Sequence, residues 1–129
     1  MPLAREHMSR DLLTVGAEDA LTEVAQRMVD RDVGAVVVMD GTRLAGILTE
    51  RDVLRAVAAG MQDDTAVKDW MTRDPETMEP DEPTLHAAVL MIHGGFRHLP
   101  LVEGEEVVGM LSIRDLMRIV LDDAAPRGV

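Results

Sequence analysis

The chain repeats itself. A shift of 63 residues lays Met8, Thr14, Met28, Gly46, Asp52 and Arg55 on Met71, Thr77, Met91, Gly109, Asp115 and Arg118. In all there are 12 identities over the 48 positions 8–55, where ordinary composition gives roughly 3. The best-matched stretch sets Gly46-Ile-Leu-Thr-Glu-Arg-Asp52 against Gly109-Met-Leu-Ser-Ile-Arg-Asp115. A doubled unit predicts pseudo-twofold symmetry and two equivalent clefts. The copies are expected to divide the chain at residues 1–63 and 64–129. A unit this short buries too little surface to be stable alone, so the halves are expected to pack as one compact module.

Apolar patterning orders each copy. Pro2 to Met8 and its copy, Thr65 to Met71, read as one or two helical turns. Leu12 to Val15 reads as a brief strand, echoed by Thr77-Met78. Leu21, Val24, Ala25 and Met28 recur at helical spacing. In the copy, Leu85, Ala88, Val89 and Ile92 are expected to form the buried face, with the alignment slipping by one residue. Glu18-Asp19 and Asp81-Glu82 fall where a helix N-terminus favours acids. Ala35 to Met39 is a continuous apolar run, as a strand buried on both faces reads. His98 to Val102 is its copy, with Pro100 suited to an edge or a strand start. Asp40-Gly41 and Glu103-Gly104 are hairpin turns. Thr49 and Ser112 stand where the closing helices begin, and Gly60 is a stop. Each unit reads β-α-β-β-α.

Charge and composition narrow the partners. The net charge is −11, from 24 acids and 13 bases. Phosphate backbones and anionic membranes demand a basic face, so neither is expected as a partner. A small anion held by a few arginines is compatible. The chain has no cysteine, hence no disulfide framework and no thiol-bound metal. Its four histidines lack the spacing of a helical zinc site, and no metal site is expected. Gly41 and Gly46 have the spacing of a phosphate loop, but Ile-Leu follows where Lys-Thr/Ser is required. No nucleophile–base constellation stands out, so catalysis is not expected. No apolar run reaches membrane-spanning length and the start does not read as a signal peptide. A cytoplasmic protein is expected.

Two copies in this order, each closing its second hairpin strand with Gly-h-h-(Thr/Ser)-x-x-Asp (h apolar), resemble a tandem pair of CBS domains, or Bateman module. Gly95-Phe-Arg-His-Leu-Pro-Leu-Val102 resembles the second-strand segment of that family. The resemblance covers residues 2 to about 121, with no attached catalytic domain. It implies an α/β fold of two β-α-β-β-α units related by pseudo-twofold symmetry and packed through their sheets. It implies a regulatory module that binds an adenosine-containing nucleotide (AMP, ADP or ATP, with magnesium if carried in by ATP) in clefts between the motifs. No cofactor is required. S-adenosylmethionine and NAD are alternative ligands. The family also implies a disc-like homodimer that passes ligand occupancy to a partner protein.

The site residues follow from chemistry and resemblance together. The carboxylates of Asp52 and Asp115 could each accept both hydroxyls of a ribose. Thr49 and Ser112 stand at helix starts, where free N–H groups and the dipole favour phosphate. The same spacing also reads as a helix-capping box, and the two roles can coexist. Arg51, Arg114, Arg97 and His98 are phosphate candidates. Gly34 and Ala35 stand opposite Arg97 and His98, so the two clefts should differ, as they also should where Val37 and Val33 replace Pro100 and Phe96. Val15, Val36, Val38, Ile47, Met78, Leu99, Leu101 and Met110 could line purine pockets or simply be core. Thr14 and Thr77 match a first-strand position that contacts the base in the family. A structural interaction module with empty clefts, dimerising through Val53–Val57 and Leu116–Val120, is the competing expectation.

Overall fold

The computed structural model describes residues 1–124; the last five residues of the second copy lie outside the described residues. The elements in chain order are α1 (Ala4–His7), β1 (Thr14–Gly16), α2 (Leu21–Arg31), β2 (Ala35–Asp40), β3 (Arg43–Thr49), α3 (Glu50–Ala58), a 3₁₀ turn (Val67–Asp69), β4 (Thr72–Arg73), α4 (Thr84–Gly94), β5 (His98–Glu103), β6 (Glu106–Ser112) and α5 (Ile113–Ala124). They form two compact units. One is Asp11–Pro75; the other joins Met1–Arg10 to Glu76 and the residues after it.

In the first of these units the sheet order is β1-β2-β3-β4, with β1 parallel to β2 and the other pairs antiparallel. In the second, the β5–β6 hairpin is flanked by two isolated bridges, Met78 with Leu101 and Ser9 with Met110. Ser9 is the copy of Thr72 and Met78 the copy of Val15, so the layout is the same. The repeat divides at 63/64, yet the compact units exchange leaders. The segment that opens each copy completes the sheet of the other copy's unit.

Two glycines make room for that exchange. A Cβ on Gly46 would lie 2.6 Å from the Thr72 carbonyl oxygen and 3.0 Å from Met71 Sδ. A Cβ on Gly109 would lie 2.4 Å from Met8 Sδ. Met8 and Met71 are copies too, so each leader lays a methionine over the other copy's return strand.

Pro100 explains why the outer strand differs between the units. It stands third in β5, not at its start. Its counterpart Val37 donates its N–H to the Leu13 carbonyl at 3.0 Å. Proline has no N–H to donate, and β1 is reduced in the second unit to a bridge at Met78. That bridge keeps the two bonds the proline allows: Met78 N–H to the Pro100 carbonyl at 3.2 Å, and Val102 N–H to the Met78 carbonyl at 2.9 Å.

The helices keep the 63-residue shift, against the expected slip. α2 buries Leu21, Val24 and Met28; α4 buries Thr84, Ala87 and Met91, their direct copies. Leu85, Val89 and Ile92, expected inside, are exposed. A backbone anchor sets the rotation of each helix. Leu21 N–H bonds to the Thr65 carbonyl at 2.9 Å, and Thr84 N–H to the Pro2 carbonyl at 3.0 Å; Thr65 is the copy of Pro2. The Thr84 hydroxyl adds a second bond to Pro2 at 3.4 Å, which satisfies a polar group in a buried position.

Each unit has its own core. Leu13, Val15, Leu21, Val24, Met28, Val36, Val38, Leu48, Ala56 and Val67 form one. Ala4, Met8, Met78, Ala87, Met91, Leu99, Leu101, Leu111 and Leu116 form the other. The acids expected at helix starts serve the preceding turns instead. Asp19 accepts from Gly16 N–H at 2.8 Å, and Glu82 from Glu79 N–H at 3.0 Å. Gly41 and Gly104 take the positive φ (61° and 64°) that the hairpin turns require.

A candidate ligand site at the two helix starts

Each hairpin runs directly into a helix, and the junction is built alike in both units. Thr49 N–H and Oγ1–H both donate to Asp52 Oδ2, at 2.9 and 3.1 Å, and Asp52 N–H donates back to Thr49 Oγ1 at 3.4 Å. Ser112 and Asp115 repeat the pattern at 2.8, 2.9 and 3.1 Å. This is the reciprocal capping box with Asp in place of the usual Glu.

Capping leaves less than the sequence expectation assumed. Oδ2 of each carboxylate is already occupied by two donors, so a ribose diol would meet chiefly Oδ1. The N–H of Glu50 bonds to the Gly34 carbonyl, and that of Ile113 to the Arg97 carbonyl, both at 2.9 Å. With Asp52 and Asp115 N–H capped as well, phosphate attraction here depends on the helix dipole and on side-chain cations more than on those amides.

The cation nearest each free carboxylate oxygen was not singled out from the sequence. Arg55 Nη1 lies 3.6 Å from Asp52 Oδ1, and Arg118 Nη1 lies 3.9 Å from Asp115 Oδ1. Both arginines sit one helical turn on, at i+3. The signal was present: Arg55 and Arg118 are aligned identities of the repeat. Arg51 and Arg114 are exposed in the first turn, and no ion pair joins either to its neighbouring aspartate among the described residues. The Asp52 side chain is only 8% exposed and that of Asp115 is 20% exposed, so the second carboxylate is the more accessible.

Strand register gathers several of the remaining candidates. Thr14 pairs with Val37, Val37 with Ile47, and Ile47 with Thr72. These four lie in one row across one sheet face. Thr49, two residues beyond Ile47, shares that face. In the other unit Pro100 pairs with Met110, and His98 with Ser112. His98 is thus beside Ser112 at the helix start, where the first unit has Ala35. Arg97 reaches the same junction through its carbonyl bond to Ile113. Thr77 directly precedes the Met78 bridge. Val15, Val36 and Val38, and Met78, Leu99 and Leu101, are buried in the two cores. Ile47 and Met110 are buried outside those clusters, on the faces that carry Thr49 and Ser112.

Comparison with known proteins accounts for this repetition. The family model for the CBS domain matches residues 4–59 and again 67–122. The chain belongs to the CBS-domain family. A CBS pair is a regulatory ligand-binding module. This pair is 38% identical over 104 residues to an uncharacterized 17.7 kDa protein of Acidianus ambivalens, covering 79% of the chain and 63% of that relative. The chain thus spans less than two thirds of that relative, and 19% of the CBS domain-containing protein CBSCBSPB3 of Arabidopsis thaliana, to which it is 38% identical over 104 residues.

Among solved structures, the CBS pair of protein MJ0100, in complex with 5'-methylthioadenosine and S-adenosyl-L-methionine, superposes with a TM-score of 0.87 at 25% identity, covering 95% of this chain and 98% of that one. The CBS-domain containing protein ATU1752 of Agrobacterium tumefaciens superposes with a TM-score of 0.85 at 30% identity, covering 92% and 99%. Among the described residues, no helix of the CBS pair is long and apolar enough to cross a membrane.

Proposed function

We propose that the CBS pair senses an adenosine-containing nucleotide, AMP, ADP or ATP, at the helix starts Thr49–Asp52 and Ser112–Asp115, and reports occupancy to a partner protein. The observation that carries this reading is the paired carboxylate: one oxygen held by the cap, the other facing an arginine, at the same place in both copies. A carboxylate held in that way is preorganised to accept a ribose hydroxyl, and side-chain cations beside it suit a phosphate. Ile47 and Met110 offer aliphatic surface to a purine, with Thr14 and Thr77 nearby. The second junction has Arg97 and His98 where the first has Gly34 and Ala35, so it is the proposed phosphate-preferring site.

The ligands named for the MJ0100 pair favour a second reading, in which the ligand is S-adenosylmethionine or a related thioadenosine. Both readings use the ribose carboxylates and differ at the phosphate. Adenosine nucleotides are cytoplasmic metabolites, which is the compartment proposed for the module. The functional unit is proposed to be a homodimer.

The test is titration calorimetry on nucleotide-stripped protein with AMP, ADP, ATP, S-adenosylmethionine and NAD. Affinity rising with phosphate count supports the first reading; binding of S-adenosylmethionine alone overturns it for the second. Binding of none overturns both. Because Asp115 also caps α5, the informative variant is Asp115→Asn, which can still accept the Ser112 N–H. It is expected to weaken nucleotide binding more than about ten-fold, near 1.4 kcal/mol. Unchanged affinity would remove Asp115 from the site.

A further inference from the structure

We propose that Arg55 and Arg118 set the preference of the two junctions for phosphorylated over unphosphorylated adenosine. Each guanidinium guards the free oxygen of its aspartate while the junction is empty, and leaves it for the phosphate of a ligand that carries one. This rests on the nucleotide-sensing reading and deepens it by naming the residues that select among adenosine ligands. The cap fixes what is left to guard. Asp52 Oδ2 takes the N–H and the hydroxyl of Thr49, and Asp115 Oδ2 takes those of Ser112. Oδ1 is therefore the oxygen that a ribose hydroxyl must reach. Arg55 Nη1 stands 3.6 Å from that atom in the first unit, and Arg118 Nη1 stands 3.9 Å from it in the second. Helix side chains lean toward the N-terminus, so a residue at i+3 lies over the turn that carries the cap. A guanidinium there competes with a neutral hydroxyl for the same lone pairs.

The guard is loose. Both distances exceed the about 2.7–2.9 Å of a charge-assisted hydrogen bond. The arginine side chains are 61% and 68% exposed, and among the described residues neither has a second ion-pair partner. Exposed pairs at this spacing shift an equilibrium by only about two-fold, so the arm moves at little cost. Its planar fork of donors matches a phosphate better than a single carboxylate oxygen. A tight, buried ion pair would obstruct every ligand. A loose one handicaps a ligand that offers no anion in exchange, and adds an attraction for one that does.

The repeat separates the guard from its surroundings. Both junctions have it, in the same place and on aligned residues, while the charges around it differ. Glu50 stands in the first turn of α3, where α5 has Ile113. Gly34 and Ala35 stand where the second junction has Arg97 and His98. The first junction thus gains an acid, which opposes a phosphate, and the second gains cations, which favour one. The Asp115 carboxylate is also the more open of the two, and its arginine is the farther away. Arg118 therefore carries most of the phosphate preference, and Arg55 is the closer guard.

Titration calorimetry of the full chain with adenosine and with AMP, at low and at high salt, tests the proposal. Arg55→Gln and Arg118→Gln both keep the cap and place a good helix former at an exposed position, and circular dichroism checks the fold. The double variant is expected to bind adenosine about two-fold more tightly than wild type, and AMP more than about five-fold more weakly. Of the single variants, Arg118→Gln is expected to carry most of the AMP loss. Salt gives a second readout. Adenosine is uncharged, yet its binding to wild type is expected to strengthen with salt, because screening frees the carboxylate from its arginine. The double variant is expected to lose that rise. A double variant that binds adenosine no better than wild type, while wild type binds AMP, overturns the guard and leaves nucleotide sensing standing. Unchanged AMP affinity in the double variant overturns the phosphate preference. Wild type that binds neither adenosine nor AMP overturns the sensing reading, and the selection with it.

Discussion

Asp52 and Asp115 show how one residue type can read as two things at once. Thr-x-x-Asp is a capping box by spacing and a ribose holder by family resemblance, and the structure establishes the cap by hydrogen bonds at both positions. Gly46 and Gly109 divide the same way: aligned copies with different neighbours. At Gly46 a new Cβ meets a backbone carbonyl at 2.6 Å, which cannot move without the strand; at Gly109 it meets only side-chain atoms of Met8, Sδ at 2.4 Å, Cγ at 2.8 Å and Cβ at 3.1 Å. Gly46→Ala is therefore expected to destabilise by about 1–3 kcal/mol, and more than Gly109→Ala. Urea denaturation of the two variants measures the order, and equal losses would show that Met8 yields no more readily than the Thr72 backbone.

At the scale of the element, the exchanged leaders are held by ion pairs as well as by their methionines. Arg5 on α1 donates to Asp81 at 2.8 Å and also to Glu103; its copy Lys68 pairs with Glu18 at 2.9 Å. Hydrogen bonding to Asp81, then to Glu103, raises the Arg5 guanidinium above its ordinary range, and hydrogen bonding to Glu18 raises Lys68. Arg5 in turn lowers Asp81 below its usual value. A depressed carboxylate contributes stability that is fully present above its unfolded pKa and is lost as pH falls through its folded one. The pairs are solvent-exposed, so their effect is small and screened by salt. The stability difference between wild type and Asp81→Asn is expected to be fully present above about pH 4 in low salt and to be lost only as pH falls further, through the lowered folded value of Asp81. A difference that persists undiminished under acid would assign the effect to packing rather than charge.

At the scale of the molecule, the exchange makes each unit depend on the other copy's leader. Removing residues 2–9 takes away Ala4 and Met8 from one core and both Ser9–Met110 hydrogen bonds from its sheet. Hydrogen exchange on such a deletion is expected to show amides of β6 losing protection while those of β3 keep theirs. Equal loss in both strands would mean that the units unfold as one.

Much of this architecture was legible in the chain. The repeat, the element order, the hairpin turns at Gly41 and Gly104, the apolar runs 35–39 and 98–102 and both Thr/Ser-x-x-Asp junctions depend on neighbours within a few residues, and local chemistry specifies them. Three features were decided only by tertiary structure. The inward face of α4 was set by a backbone bond to Pro2, 82 residues away, which overrode the stronger apolar stripe. The exchange of leaders was set by contacts of Met8 and Ser9 with residues about a hundred positions on. The second partner of each aspartate, Arg55 or Arg118, was set by which carboxylate oxygen the cap left free. Sequence determines what each segment can form; long-range contact decides which of its faces turns inward and which atoms remain to meet a ligand.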